Sequence, residues 1–271
     1  MSVIIGSTGA RYQVIGVLAG TSAVSVITTT SKTASFVSLG VTNFRITGLE
    51  LCVTSTTDAG RFCVDIGVGE SGSEVVLVSD IMVQLPGFGP AGSDKIIFPL
   101  SIPSSTRVGV RASTSGGTGN HLAIMMLLYG GSFNDNQVFG RVSTFGVSNQ
   151  SAFGTVIDPG ATINTKGNWI SMGVTSSLVK QLNIVLGMGA NTAVTTAVWY
   201  VDFGIGVSGS QQIIISNIAI ATNTTPDDLR HKNIGPLPIN IASGTILWMR
   251  SQCTINNATD RLIECALYGI S

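Results

Sequence analysis

Residues 63–81 read CVDIGVGESGSEVVLVSDI and residues 200–218 read YVDFGIGVSGSQQIIISNI, identical at nine of nineteen positions without a gap. The match runs outward in the same order on both sides. VSLGVT at 37–42 faces ISMGVT at 170–175, FPLSIPSSTRVGVR at 98–111 faces LPINIASGTILWMR at 237–250, and LLYG at 127–130 faces ALYG at 266–269. A period above 100 residues is far longer than the units of about 20–50 residues that build solenoids and cannot stand alone, so the chain carries a duplicated domain. The expected layout is an N-terminal arm at 1–27, a first domain at 28–130, a linker at 131–159 and a second domain at 160–271. Each copy is long enough to bury a core of its own.

Within each copy, short runs rich in Val, Ile, Thr and aromatics alternate with Gly, Ser, Asn and Pro at intervals of about 8–12 residues, and helical periodicity is nearly absent. The strands predicted for the first copy are 35–41, 47–54, 61–68, 74–79, 95–100, 106–112 and 122–129; their counterparts are 168–174, 180–187, 197–205, 211–216, 236–241, 245–251 and 261–268. This pattern predicts an all-β chain of two tandem jelly-roll-like or Greek-key antiparallel β-sandwiches. The stretches ahead of the copies begin alike, with Gly9-Ala10-Arg11-Tyr12 and Phe139-Gly140-Arg141-Val142, which points to the arm as part of the duplicated unit.

Charged residues make up 10% of the chain, against about 25% in ordinary soluble domains. Fourteen basic residues balance 14 acidic ones, so no net field draws in nucleic acid or an anionic membrane. A weakly charged surface keeps molecules apart poorly, which favours burial against neighbours: a homo-oligomer, trimer or dimer, is expected. Residues 1–8, MSVIIGST, carry no basic segment followed by a sustained apolar stretch, so no secretory signal is read there. The apolar run 122–129 is far short of the roughly 20 residues that span a bilayer. Cys52, Cys63, Cys253 and Cys265 fall at different places of the repeat and lack zinc-site spacing, so they are expected to be free thiols packed in the cores.

Asp65 and Asp202 hold the same place in VDIGVG and VDFGIG, each among apolar residues of a predicted strand, where a carboxylate needs a partner. The matching cations are Arg111 and Arg250. Two structural pairs are therefore expected, Asp65 with Arg111 and Asp202 with Arg250; in the alternative, each Asp accepts hydrogen bonds from the following turn and each Arg lies in solvent. The turns at 70–73 and 207–210 superficially resemble phosphate loops, but a β-branched strand follows each one where a phosphate loop requires a helix N-terminus.

His121 and His231 occupy unrelated places in the two copies, so no Ser-His-Asp or Cys-His set is implied, and no catalytic residue, cofactor or metal is expected. A metal set of Asp227, Asp228 and His231 is the alternative to a solvated charged loop at 227–232. Trp169, Trp199 and Trp248 face Phe36, Phe62 and Gly109 of the first copy. The first two enlarge an aromatic and read as core or groove positions. Trp248 is the candidate exposed aromatic, a possible contact for a ligand or partner.

The phrases DIGVGESGSE, FPLSIPSSTRVGVR and LLYG resemble those of virion structural proteins of tailed phages and prophages. The resemblance covers both copies and implies homo-oligomers on a symmetric particle, with the major capsid protein or other virion proteins as partners. It implies no catalytic residue. On this basis the expected function is a capsid decoration, or cement, protein, made in the host cytoplasm and located in the virion, without membrane or nucleic-acid binding. The alternative is a receptor- or carbohydrate-binding tail or head-fibre protein. A glycan-cleaving enzyme would require two carboxylates about 5–9.5 Å apart, whereas Asp65 and Asp202 belong to different copies.

Overall fold

The computed structural model describes residues 2–4, 10–17, 24–28, 31–55, 60–85, 95–114, 120–131, 140–147, 153–188, 196–222 and 231–271. No helix occurs among them. The first half holds β1 (Ser2–Ile4), β2 (Arg11–Ile15), β3 (Val24–Thr28), β4 (Val37–Val41), β5 (Ile46–Ser55), β6 (Gly60–Val68), β7 (Val75–Leu85), β8 (Ile96–Phe98), β9 (Arg107–Thr114) and β10 (Asn120–Gly130). The second half holds β11 (Val142–Phe145), β12 (Thr155–Ile157), β13 (Ile170–Val174), β14 (Val179–Met188), β15 (Ala197–Ile205), β16 (Gln212–Thr222), β17 (Lys232–Ile241), β18 (Ile246–Cys253) and β19 (Ile263–Ile270).

In the first half, one sheet runs β1-β2-β10-β5-β8, with β3 also on β10, and the other runs β4-β9-β6-β7. The second half repeats both sheets, as β11-β19-β14-β17 with β12 on β19, and β13-β18-β15-β16. If β2 and β3 are two pieces of one strand, the eight strands interleave in the order 1-8-3-6 and 2-7-4-5, which makes each half a jelly roll.

Two expectations change. The arm at 1–27 and the linker at 131–159 are not separate from the sandwiches, because their described parts supply the first strand of each jelly roll. β2 and β3 lie along β10, and β11 and β12 lie along β19. The physical reason is that the last strand needs a neighbour on its outer edge, and Ile15, Val24, Val26, Phe145 and Ile157 bury themselves in supplying it. Secondly, LLYG and ALYG do not superpose. Leu127 pairs with Val14 and Glu50, while Tyr268 pairs with Thr144 and Asn183. Val14 and Thr144 each stand two residues before a positive-φ glycine, Gly16 or Gly146, whose N–H donates to Leu39 or Met172. Leu127 therefore occupies the place of Tyr268, and a bulge at Tyr129/Gly130 accompanies the two-residue offset.

β7 and β16 run on past residues 79 and 216, where the sequence predicts they end. Asp80 and Asn217 both adopt a φ of 55°, and the ladder to the neighbouring strand shifts at this point in both copies. Asp and Asn tolerate the left-handed region because their short side chains bond locally. The point where each strand was expected to end is therefore a β-bulge inside a longer strand.

Each sandwich fills with apolar side chains from its two inner faces. The first cluster also takes in Phe153, Val185, Ala266, Tyr268 and Ile270 from the second half, so the two jelly rolls share buried surface.

Candidate functional site

The repeated aspartates lie at the centre of matching ionic clusters. Arg111 Nε stands 2.9 Å from Asp65 Oδ2, and Arg250 Nε stands 3.0 Å from Asp202 Oδ2. Each pair sits directly across a strand ladder, Asp65 opposite Arg111 and Asp202 opposite Arg250. A second cation completes each cluster: Lys32 Nζ at 2.5 Å from Asp65 Oδ1, and Lys166 Nζ at 2.7 Å from Asp202 Oδ1. The same oxygens accept the bulge N–H groups, from Asp80 at 2.8 Å and from Asn217 at 3.0 Å. Each carboxylate thus pairs with its expected Arg, and the backbone N–H it accepts comes from the bulge 15 residues on rather than from the following turn.

The guanidinium groups lie over aromatic rings, Arg111 at 4.7 Å from the Phe36 centroid and Arg250 at 4.4 Å from that of Trp169, a favourable cation–π geometry. A Cβ on Gly67 would meet Phe36 at 2.6 Å, and one on Gly204 would meet Trp169 at 2.9 Å, so these glycines let the aromatic lie on the sheet. Burial pushes the Asp202 carboxyl up, but hydrogen bonds from Lys166, the Asn217 N–H and Arg250 outweigh it and hold the group below the usual range. Asp80 makes the two clusters differ: its carboxylate also binds Lys32, whereas the second copy has Asn217 there. The first cluster opens on a cleft lined in part by Val76, Ser79, Arg141 and Val142.

Lys32 and Lys166 escape sequence reading because the spacing from Lys to the aromatic differs by one residue, four to Phe36 and three to Trp169. Allowing one gap would have revealed them.

Trp248 is buried, contrary to expectation. It lies across the ladder from Gly204 and Ser171, and its indole N–H donates to the Gly206 carbonyl at 2.7 Å. Trp199 is fully buried, with its N–H on Arg261 O. His231 is buried as well, where a solvated loop was expected; Asp227 and Asp228, the other members of the candidate metal set, lie outside the described residues. No cluster of three metal-ligating side chains occurs among the described residues. The four cysteines are free, and three of them are buried.

A second constellation, missed in the sequence, joins the halves. The β7 edge of the first sandwich is capped by groups of the second. Thr144 donates to Ser79 O at 2.7 Å, and Tyr268 donates to Asp80 O at 2.9 Å while accepting from Met82 N at 2.7 Å. His231 Nδ1 accepts from Gln84 N at 3.1 Å, and the His231 N–H donates back to Gln84 O. On β8, Asn183 donates to Ile97 O at 2.9 Å, and just before it Asn233 donates to Lys95 O at 2.8 Å. The Tyr268 ring meets Phe98 edge-on at 5.8 Å. Met82 fits against Gly154 and Gly187, where added Cβ atoms would come within 2.9 Å of its Sδ and 3.3 Å of its Cε. Arg61 reaches across to Glu264 at 2.5 Å and lies over Phe153. Burial outweighs that pairing and raises the Glu264 carboxyl above its usual range. An edge strand with open backbone groups invites unwanted pairing, and here the chain closes it with its own second domain.

No protein-family model matches the chain, and no curated protein matches it in sequence. Among solved structures, the chain is similar to a peptide-N(4)-(N-acetyl-β-D-glucosaminyl)asparagine amidase, with 8% identity over 96% of each chain and a TM-score of 0.42. It is also similar to the N-terminal CBM22-1–CBM22-2 tandem domain of Xyn10C from Paenibacillus barcinonensis, with 10% identity over 97% of this chain and 91% of that one, at a TM-score of 0.26. A third likeness is to the T13 IBDV viral particle, with 12% identity over 100% of this chain and 67% of that one, at a TM-score of 0.24. At such scores these likenesses carry no argument about activity or partners.

Proposed function

We propose that the chain is a non-enzymatic structural protein of a tailed-phage virion, mounted on the capsid as a decoration protein that clamps neighbouring coat subunits. The observation that carries this reading is the pair of jelly rolls locked edge to face into one body, with the charged side chains largely turned to internal use. Of the nine acidic residues that are described, Glu50, Asp65, Glu74, Asp80, Asp158, Asp202 and Glu264 are held by Lys or Arg. Carboxylates engaged in this way are occupied by partners within the chain, which supports a structural use of them. Weak surface charge favours docking through neutral contacts on a homo-oligomer of two or three copies and on the major capsid protein, and it disfavours nucleic acid and membranes. With Trp248 buried, the receptor- or glycan-binding alternative loses its candidate residue.

Labelled antibody against the protein, imaged on purified particles, tests the reading. Label spread over the shell supports it. Label confined to the tail tip overturns the decoration role in favour of receptor binding, and particles without label overturn any role in the virion.

A further inference from the structure

The duplication supplies an internal control for surface that lacks a partner. β7 and β16 are the same strand of the two jelly rolls, matched residue for residue through the same two ladder shifts. Met82 and Gln84 are buried under the second domain, with Ser79 and Asp80 half-buried beside them, whereas their counterparts Ala219, Ala221, Ser216 and Asn217 are all exposed. The neighbouring strand repeats the contrast: Phe98 and Leu100 are fully buried, while Leu237 and Ile239 are only partly so. Ile213 and Ile214 extend the exposed apolar surface of β16 at 44% and 38%. A long apolar edge strand left open is a site where another chain pairs or packs.

The structure also identifies the complement. Within the chain, the first sandwich's edge is covered by the outer face of the sheet built on β11, β19 and β14. The corresponding sheet of the first sandwich, built on β2, β10 and β5, caps no other edge among the described residues. There Val14 stands in the place of Thr144 and Leu127 in the place of Tyr268, with Met125 two residues before Leu127; Val14 and Met125 are 41% and 36% exposed. On that face Glu50 is paired with Lys95 at 3.0 Å and accepts a hydrogen bond from the Tyr129 hydroxyl. An exposed edge and an exposed face, the counterparts of the two halves of the internal contact, are thus both present in one chain.

We propose that the open β16–β17 flank of one copy receives the outer β2–β10–β5 face of a second copy, head to tail, in the same relative placement as the contact within each chain but through apolar groups, Val14 and Leu127 standing where the internal contact uses Thr144 and Tyr268. Such a contact is heterologous: it closes into a ring if its rotation divides the circle, and otherwise continues as a filament. The inference does not depend on where the protein resides, so it stands or falls separately from the decoration reading.

The test uses the full-length protein in analytical ultracentrifugation, with Ala219→Arg on the flank and Met125→Arg on the face. Both positions are exposed, so folding should survive; circular dichroism checks this, and Ala221→Lys serves as a second flank variant. The wild type should assemble, and each single variant should sediment as a monomer. A mixture of A219R with M125R should form a one-to-one dimer, because each variant keeps the half that the other has lost. A wild type that stays monomeric at high concentration overturns the proposal. So does a M125R variant that still assembles as the wild type does, since the flank would then be meeting some other surface.

Discussion

The hydroxyl of Tyr268 accepts the backbone N–H of Met82 at 2.7 Å, joining the last strand of the second sandwich to the edge of the first. The same oxygen donates to Asp80 O, and the tyrosine is fully buried. Removing it leaves a buried N–H without a partner, which costs about 1–3 kcal/mol. Tyr268→Phe keeps the edge-on contact with Phe98 and isolates that loss. Urea unfolding should show a drop of this size, and the Met82 amide should exchange faster with solvent; an unchanged midpoint would mean that water replaces the hydroxyl at no cost.

Asp65 and Asp202, with side chains 3% exposed, each hold two cations. Replacing either with Ala strands buried charge and should cost about 3–5 kcal/mol. The double change of Asp65→Ala with Arg111→Leu should recover part of this, and simple additivity in denaturant unfolding would show that the two residues are not coupled. Asp80→Asn, by contrast, should cost less than about 1 kcal/mol. The second copy carries Asn217 at that place with the same φ of 55°, and Lys32 keeps Asp65.

Two carboxyls give opposite pH dependence in separate windows. Asp202 titrates below its usual range when folded, so its contribution to stability is present above about pH 3.9 and is lost as pH falls through the lower folded value. Glu264 titrates above its usual range, because burial favours its neutral form; its contribution is present below about pH 4.3 and is lost as pH rises through the higher folded value. Comparing wild type with Glu264→Gln across this upper window should show the wild type losing stability relative to the variant as pH rises. A difference that grows instead would mean that the pairing with Arg61 outweighs burial.

The thiols should resist modification in the native state. Burial raises Cys52 to about 11 and Cys63 to about 12, and raises Cys253 and Cys265 as well. Little thiolate exists at pH 8, and thiolate is the reactive species. A chromogenic disulfide reagent should react slowly with the half-buried Cys52 and reach the other three only on unfolding. Prompt reaction of two or more thiols in the native protein would contradict the packing described.

The jelly-roll strands were legible because β-branched runs and turn residues repeat with one spacing in both copies, and the Asp–Arg pairs because matched positions limit the candidates. What escaped depended on contacts distant in sequence. Residues 11–15 and 142–145 are too short to show periodicity, and they become strands only because β10 and β19 offer an edge. The strands read as ending at 79 and 216, since nothing local announces that a carboxylate 15 residues earlier will accept the bulge N–H of Asp80 or Asn217. Trp248 alternates like an exposed residue but is buried, with its indole N–H held by the carbonyl of Gly206 on another strand. The interface was invisible because the repeat does not carry its residues: Thr144 and Tyr268 stand where the first copy has Val14 and Leu127.

The capping of β7 by residues 144, 231 and 268 also sets an order of events at the ribosome. The first jelly roll is complete once β10 is made, at residue 130, yet Tyr268 emerges about 140 residues later. At about 5–20 residues per second this interval is on the order of ten seconds. Throughout it, a finished sandwich displays an uncapped apolar strand to its surroundings. The slow arrival of the second domain is thus a window in which pairing with another chain at that edge competes with capping by the chain's own residues.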